Sequence, residues 1–317
     1  MSNNNSDIFF KPAKRLVKKI NKPVVSLVAS AYRTDNWMSI YNNFGKPSLV
    51  DLEFIFVGPN KPNYELPENF RFIQSAVKPI QCLEIAARNA IGDFIMQVAD
   101  DCLFKTKHPI DELYKTFLRN KSEKIIVSCR YSMDDKLLPV ESCWLIKGDP
   151  KSPLMPLCGL MKRSLYNKLG GMDKNFIAIM GDLDIAMRLY SIGGKVVMSK
   201  VILNEDREAA SQGGSLCVDY YKIDMGYLHS LWVKNSKTVI DRSGRFEPFD
   251  NVNLLKFSQG PRGRWRGNGF FLYEKIIDSP RIFKQLIRGI TQPLNYYKYL
   301  IRILNFLVLK VKLKVKK

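Results

Sequence analysis

The sequence predicts an α/β domain, with a mainly parallel central sheet flanked by helices, followed by a basic amphipathic helical extension. Three observations carry this prediction. Short apolar runs rich in β-branched residues stop at Gly, Pro or Asp; a helix-period segment lies between two of them; and the C-terminal stretch keeps apolar residues at three/four spacing among lysines and arginines. Strand, helix and strand in alternation favour parallel pairing, because a parallel neighbour requires a crossover long enough to hold a helix.

Pro23 to Ala31 (PVVSLVASA) reads as the first buried strand. Leu52 to Val57 (LEFIFV) reads as the second, closed by Gly58-Pro59-Asn60, and Phe94 to Val98 (FIMQV) as another, closed by Asp100-Asp101. Between these two, Pro79 to Ile91 places Leu83, Ala86, Ala87 and Ala90 at helical spacing. Ligands of such sheets sit at the carboxyl ends of the strands, which singles out Tyr32-Arg33, Gly58-Pro59-Asn60 and Asp100-Asp101. Further along, Ile125 to Cys129 reads as a strand and Ser164 to Leu169 as a short helix stopped by Gly170-Gly171. From Asp182 to Ile192, the residues Ile185, Ala186, Leu189 and Ile192 form one stripe, placing Asp182 at the helix start and Arg188 on another face. Lys195 to Leu203 reads as a strand, and Asn204 to Ser215 as a polar loop.

The 317 residues carry 50 Lys+Arg against 30 Asp+Glu, a formal charge of +20, so an anionic partner is expected: nucleic acid, a membrane surface or a phosphate-bearing substrate. With 46% hydrophobic and 25% charged residues, disordered, collagenous and disulfide-scaffold classes are excluded. Cys82, Cys102, Cys129, Cys143, Cys158 and Cys217 stand singly without zinc-site spacing and read as buried thiols. The N-terminus carries a basic stretch from Lys11 to Lys22 and lacks the apolar core of a signal peptide. At the other end, Phe283, Leu286, Ile287, Ile290, Leu294, Tyr297, Ile301, Leu304, Val308 and Val311 line one stripe, and no acid follows Asp278. Such a stripe suits a helix lying in the headgroup plane of an anionic membrane, or one packed on the domain with a solvated basic tail; Pro293 is expected to kink it. The expected divisions are a basic tail over 1–22, a catalytic domain over 23–235, a basic loop region over 236–278 and the extension over 279–317.

Two acidic clusters carry the chemistry. Asp100 and Asp101 close a buried strand, where paired carboxylates can hold a divalent cation against substrate phosphates or simply cap a turn. Asp182 and Asp184 open a helix, where the macrodipole alone favours negative charge. What lifts both clusters is their order along the chain. VVSLVASAYRT, then AARNAIGDFIMQVADD, then KLGGMDKNFIAIMGDLDIAMRLYSIGGKV together resemble the pattern of glycosyltransferase family 2 on the GT-A fold, over roughly residues 23 to 205.

The resemblance implies an inverting sugar transferase that uses a nucleotide-diphosphate sugar donor and a divalent cation, Mn or Mg. It implies Asp101 as the metal ligand, Asp100 as a neighbouring contact to the metal or the donor ribose, Asp182 as the general base and Arg88 as a residue near the donor nucleotide, with Tyr32 and Arg33 on the first strand's loop. Four departures stand out. Ala99 takes the acidic motif's first Asp position, Gly58 the strand-end Asp that reads a uracil base, Gly181 the Glu before the catalytic Asp, and Asn204 the late His, beside Glu205 and Asp206. Ser258 to Gly267 packs three arginines, glycines and Trp265 into one segment suited to diphosphate contact or to RNA. Trp144 and Trp232 read as core aromatics before sugar platforms.

The expected acceptor is a glycan or lipid-linked hydroxyl in cell-surface polysaccharide synthesis. The expected location is the cytoplasmic face of the membrane, with an anionic membrane surface rather than nucleic acid as the macromolecular partner. The rival readings are a basic nucleic-acid-binding protein on a non-catalytic scaffold and a nucleotidyltransferase.

Overall fold

The computed structural model describes residues 24–140, 144–146, 149, 152–205 and 216–261, with the side chains of Cys102, Glu205 and 216–219 left aside. The basic tail, the part of the arginine segment after residue 261 and the amphipathic extension lie outside the described residues, as do Cys143, Asp206 and Gly213-Gly214.

Along the chain run β1 (Val24–Ser30), a 3-10 turn (Thr34–Asn36), α1 (Trp37–Phe44), β2 (Asp51–Gly58), β3 (Phe70–Gln74), α2 (Pro79–Arg88), β4 (Phe94–Gln97), β5 (Cys102–Phe104), α3 (Pro109–Leu118) and β6 (Ile125–Met133). Next come β7 (Lys136–Leu137), β8 (Leu160–Lys162), α4 (Arg163–Lys168), α5 (Gly181–Ser191), β9 (Lys195–Glu205), α6 (Leu216–Trp232) and a hairpin of β10 (Val233–Lys234) with β11 (Lys237–Thr238). Among the described residues the main sheet has nine strands in the order β3-β2-β1-β4-β8-β6-β9-β5, with β7 on β6. β1 pairs in parallel with β2 and β4, β2 with β3, and β6 with β9; β8 runs against both β4 and β6, so these six strands share one direction. The mainly parallel α/β sheet expected from the sequence is present.

Alternation along β1 sends Val25, Leu27 and Ala29 to one face and Val28 to the other. On the first face lie α1 and α3, whose Trp37, Ile40, Phe44, Ile110, Leu113 and Phe117 pack on a cluster of sheet phenylalanines. Trp37 meets Phe56 edge-on at 5.4 Å between ring centroids and Phe54 stacks on Phe70 at 5.2 Å, aromatic geometries worth roughly 0.5–1.5 kcal/mol each beyond burial. On the second face lie α2, α4, α5 and α6. Helix α2 starts with Pro79 at its first turn and is buried through Ala87, including its polar Gln81 and Glu84. Gln81 Nε2 donates to the carbonyls of Leu254 (2.6 Å) and Phe257 (2.7 Å); Glu84 accepts from Arg88 Nε (2.7 Å), Tyr166 Oη (2.6 Å) and Met172 N (2.9 Å), so no buried polar group there is left to desolvate alone. A Cβ on Gly171 would lie 2.6 Å from that Glu84 carboxylate, and the φ of +77° disfavours any other residue, which accounts for half of the Gly170-Gly171 stop.

One boundary differs from expectation. β9 runs on through Asn204 and Glu205 instead of yielding to a loop, because β6 also continues past an irregularity at Ser128/Arg130 and pairs with it as far as Met133. No helix of the described residues is long and apolar enough to cross a membrane.

Candidate active site

The carboxyl ends of β1 and β4 are tied together by one carboxylate. Asp100 Oδ2 accepts the backbone amides of Tyr32 (2.6 Å) and Arg33 (2.7 Å), Asp100 Oδ1 accepts Arg33 Nη1 (2.8 Å), and the Asp100 carbonyl accepts Asn36 Nδ2 (3.0 Å). The same Arg33 Nη1 donates to Asp101 Oδ2 at 3.0 Å. Burial pushes the Asp100 carboxyl above its ordinary range, against the pull of the Arg33 amide and guanidinium. Arg33 is held more firmly charged than a free arginine: burial opposes its charge, but Asp100 and Asp101 outweigh that. Asn60 Nδ2 donates to the Tyr32 carbonyl (3.0 Å), joining the end of β2 to the same loop. The structure therefore brings Tyr32, Arg33, Asp100 and Asp101 together.

Gly58 stands where the resemblance implies a base-reading Asp, and its reason is steric. A Cβ there would lie 1.7 Å from the Ala31 carbonyl oxygen, so β1 and β2 close too tightly for any side chain.

Asp182 is the second residue of α5, after Met180 in the left-handed region at φ +67°. Its half-buried carboxylate accepts Leu183 N at 2.9 Å, and burial raises its pKa above the usual range against those first-turn amides. Asp182 also lines a cavity beside Gln97, Pro156, Gly159, Tyr166 and Met172, between the sheet and the helices α2 and α5. Two residues on, Asp184 has a different setting. Fully buried, it accepts Arg188 Nε (2.9 Å), Trp232 Nε1 (2.8 Å) and Arg242 Nε (3.2 Å), while Arg242 also pairs with buried Asp173. Arg188, on another face of the helix from the apolar stripe, is also buried and gives its other nitrogens to the carbonyls of Leu169 and Gly171. Asp224 on α6 accepts the amides of Ile177 (3.0 Å), Ala178 (2.8 Å) and Ile179 (3.0 Å), fixing the loop that leads into α5.

Cys158 feels the charge of both acidic clusters. Its half-buried thiol takes a hydrogen bond from the Ala99 backbone and lies within electrostatic reach of both Asp182 and Asp101; burial, with those two charges, pushes its pKa up to about 12. At φ +42° the Cys158 backbone is left-handed, a strained choice for a residue with a side chain. The sequence places Cys158 among the buried thiols; that it feels charge from both acids depends on β8 folding back against β4, which no local pattern announces. Cys82 and Cys129 are free and buried, as expected.

Arg88 is not brought to this cleft. α2 crosses back from the carboxyl end of β3 to the amino end of β4, so its last residue lands at the opposite end of the strands from Asp100. There its guanidinium holds Glu84 Oε1 (2.7 Å), Asn251 Oδ1 (2.6 Å) and the Phe249 carbonyl (2.6 Å), a packing role. Trp232, with its ring fully buried, is likewise core.

Among the described residues, the side chains do not fit the divalent-cation site that the resemblance implies; those of Glu205 and Asp206 lie outside the described set. Ala99 offers no carboxylate, Asn204 spends its side-chain oxygen on Ser132 Oγ (2.6 Å) and Asp135 N (3.1 Å), and Asp100 and Asp101 are bridged by a guanidinium. Among the described residues no three His, Cys, Asp or Glu side chains gather into a metal-holding group.

Comparison with known proteins returns structures alone. No family model matches the chain, and no curated protein does. S. aureus TarS 1-349 is similar at 12% identity and TM-score 0.44, covering 67% of this chain and 75% of that one. The mannosyltransferase PcManGT from Pyrobaculum calidifontis, in complex with GDP-Man and Mn2+, is similar at 16% identity and TM-score 0.46, covering 59% of this chain and 57% of that one.

Proposed function

We propose that the chain is an inverting glycosyltransferase, moving a sugar from a nucleotide-diphosphate donor to a hydroxyl of a glycan or lipid-linked acceptor in cell-surface polysaccharide synthesis. The observation that supports it most is that Asp101, at the end of a strand, and Asp182, at the start of a distant helix, both lie within electrostatic reach of one thiol, Cys158. A transferase needs two functions in one cleft: positive charge set against the leaving diphosphate, which an acid such as Asp101 can hold in place, and a base for the incoming alcohol.

The acceptor oxygen bonds to the anomeric carbon as the bond from that carbon to the diphosphate oxygen breaks, and the electron pair departs with the nucleoside diphosphate. The hydroxyl proton passes to Asp182. One displacement with no protein nucleophile inverts the anomeric centre. Burial suits Asp182 to this role, since a carboxylate with a raised pKa is a stronger base. Tyr32, Arg33 and Asp100 form the donor side. Residues 23–235 would make up the catalytic domain and 236–278 the rest of the acceptor side.

Full-length protein is expected to release nucleoside diphosphate from at least one member of a panel of UDP- and GDP-sugars offered with glycan acceptors. Pyrophosphate released from a nucleoside triphosphate, with nothing from the panel, would instead identify a nucleotidyltransferase. The charge of +20 and the acid-free C-terminal stripe support attachment to an anionic membrane face. Accordingly, a chain ending at Asp278 should sediment several-fold less with phosphatidylserine-containing vesicles than the full chain; equal sedimentation contradicts the anchor.

A further inference from the structure

We propose that Arg33 is the resident cation of this site: its guanidinium holds the place between Asp100 and Asp101 that a divalent ion would need, and transfer proceeds without a divalent metal, with Arg33 as the positive charge facing the donor diphosphate. This rests on the glycosyltransferase reading for the donor and on the geometry alone for the cation.

One nitrogen, Nη1, lies 2.8 Å from Asp100 Oδ1 and 3.0 Å from Asp101 Oδ2, so the guanidinium spans both carboxylates as a metal ion would. The remaining oxygen of Asp100 is taken by two backbone amides, at 2.6 and 2.7 Å. A Mg or Mn ion arriving here would have to evict a guanidinium whose side chain is only 19% exposed, stranding its charge. In return it would gain few ligands among the described side chains, since Ala99 has none to offer and the Asn204 oxygen is already engaged. Magnesium demands near-octahedral oxygen coordination, and this donor set does not approach it. A further donor points the same way: Arg33 Nε is buried and without a hydrogen-bond partner among the described residues. A buried donor left unpaired carries a desolvation cost, which an arriving phosphate oxygen would relieve.

In the transfer step the bond from the anomeric carbon to the diphosphate breaks, its electron pair stays on the diphosphate oxygen, and the acceptor proton goes to Asp182. Arg33 then offsets charge that gathers on the leaving group. Asp101 becomes the anchor of that guanidinium instead of a metal ligand.

Two measurements on the full chain decide the matter. Electron paramagnetic resonance of added Mn2+ reports the cation's place directly: wild type is expected to leave the free-ion signal undiminished, and stoichiometric loss of that signal overturns the proposal. Nucleoside diphosphate release from the UDP- and GDP-sugar panel reports the chemistry. Rates in EDTA should equal those in Mn2+ or Mg2+ within about twofold; Arg33→Ala should lower the EDTA rate by about 10²-fold, and Arg33→Lys, which keeps the charge and controls for folding, should recover part of that loss. A rate that collapses in EDTA and returns with Mn2+ overturns the proposal while upholding the transferase. An undiminished EDTA rate in Arg33→Ala also overturns it. Absence of release under every condition sinks the transferase reading and, with it, the metal-free transfer step, whereas the Mn2+ signal still decides whether Arg33 holds the cation's place.

Discussion

The end of β4 and the start of α5 both present an aspartate whose carboxyl is raised by burial, yet their surroundings oppose each other. Asp100 is consumed by its neighbours: two amides and a guanidinium satisfy it, and the same guanidinium reaches Asp101. Asp182 takes first-turn amides, and among the described residues no basic side chain pairs with it. A carboxylate already neutralised is an anchor, whereas one held by dipoles keeps its basicity for a substrate. Asp184 sharpens the lesson within a single helical turn, since its bonds to Arg188, Arg242 and Trp232 make it part of the frame.

The comparison breaks most directly at Asp182. Asp182→Asn is expected to lower transfer by about 10²- to 10⁴-fold, the range of a general base, with near-native thermal unfolding. The linkage gives this variant a second signature. A native-state pKa raised above the unfolded value means that Asp182 costs stability once pH rises through its folded pKa, and costs nothing below its unfolded pKa. Asp182→Asn should therefore match or exceed wild type in stability at neutral pH and lose that advantage in acid. Equal turnover by the variant contradicts the base assignment.

Asp184→Ala is expected to do the reverse. Removing the acid from a buried network leaves Arg188 and Arg242 underpaired, a loss of about 3–5 kcal/mol in urea unfolding. A variant with native stability and lost activity would instead give Asp184 the chemical role.

The smallest effect concerns a buried cation outside the two acidic clusters. Lys78 donates to the Lys174 carbonyl and lies 5.5 Å from the centre of the Phe249 ring. Burial lowers its pKa to about 7, with Asp224 and Asp173 resisting and Lys174 adding to the shift. Above about pH 7 the native state gives up this proton while the unfolded chain keeps it. Stability from this group therefore grows as pH rises from about 7 toward the ordinary lysine value and is lost as pH falls back through about 7. Lys78→Met should flatten that slope, by up to about 1.4 kcal/mol per pH unit; an unchanged slope would show that Lys78 stays charged.

Much of this was legible in the chain because burial on both faces writes itself as continuous apolar runs. β1, β2, β4, β6 and β9, and the helices α2, α4 and α5, lie where periodicity puts them. α1 and α3 were not, since each commits only three apolar anchors, Trp37, Ile40 and Phe44 or Ile110, Leu113 and Phe117, among polar residues. β8 has three residues, too few for any period to register. For the site, the motifs located Asp100, Asp101 and Asp182, but their company was beyond local reading. That Arg33 bridges two acids, that Cys158 feels charge from both clusters and that Arg88 sits at the amino end of the strands all follow from how β4, β8 and α2 are laid against one another.

A crystal structure of the full chain soaked with UDP or GDP and Mn2+ tests the central claim most directly. The expected result is a diphosphate bound against Arg33 with Asp182 near its sugar side, the guanidinium still bridging Asp100 and Asp101, and no anomalous manganese peak between them. A nucleotide bound elsewhere, with Asp182 remote from its phosphates, would contradict the transferase; a manganese peak in place of the guanidinium would contradict the assignment of Arg33.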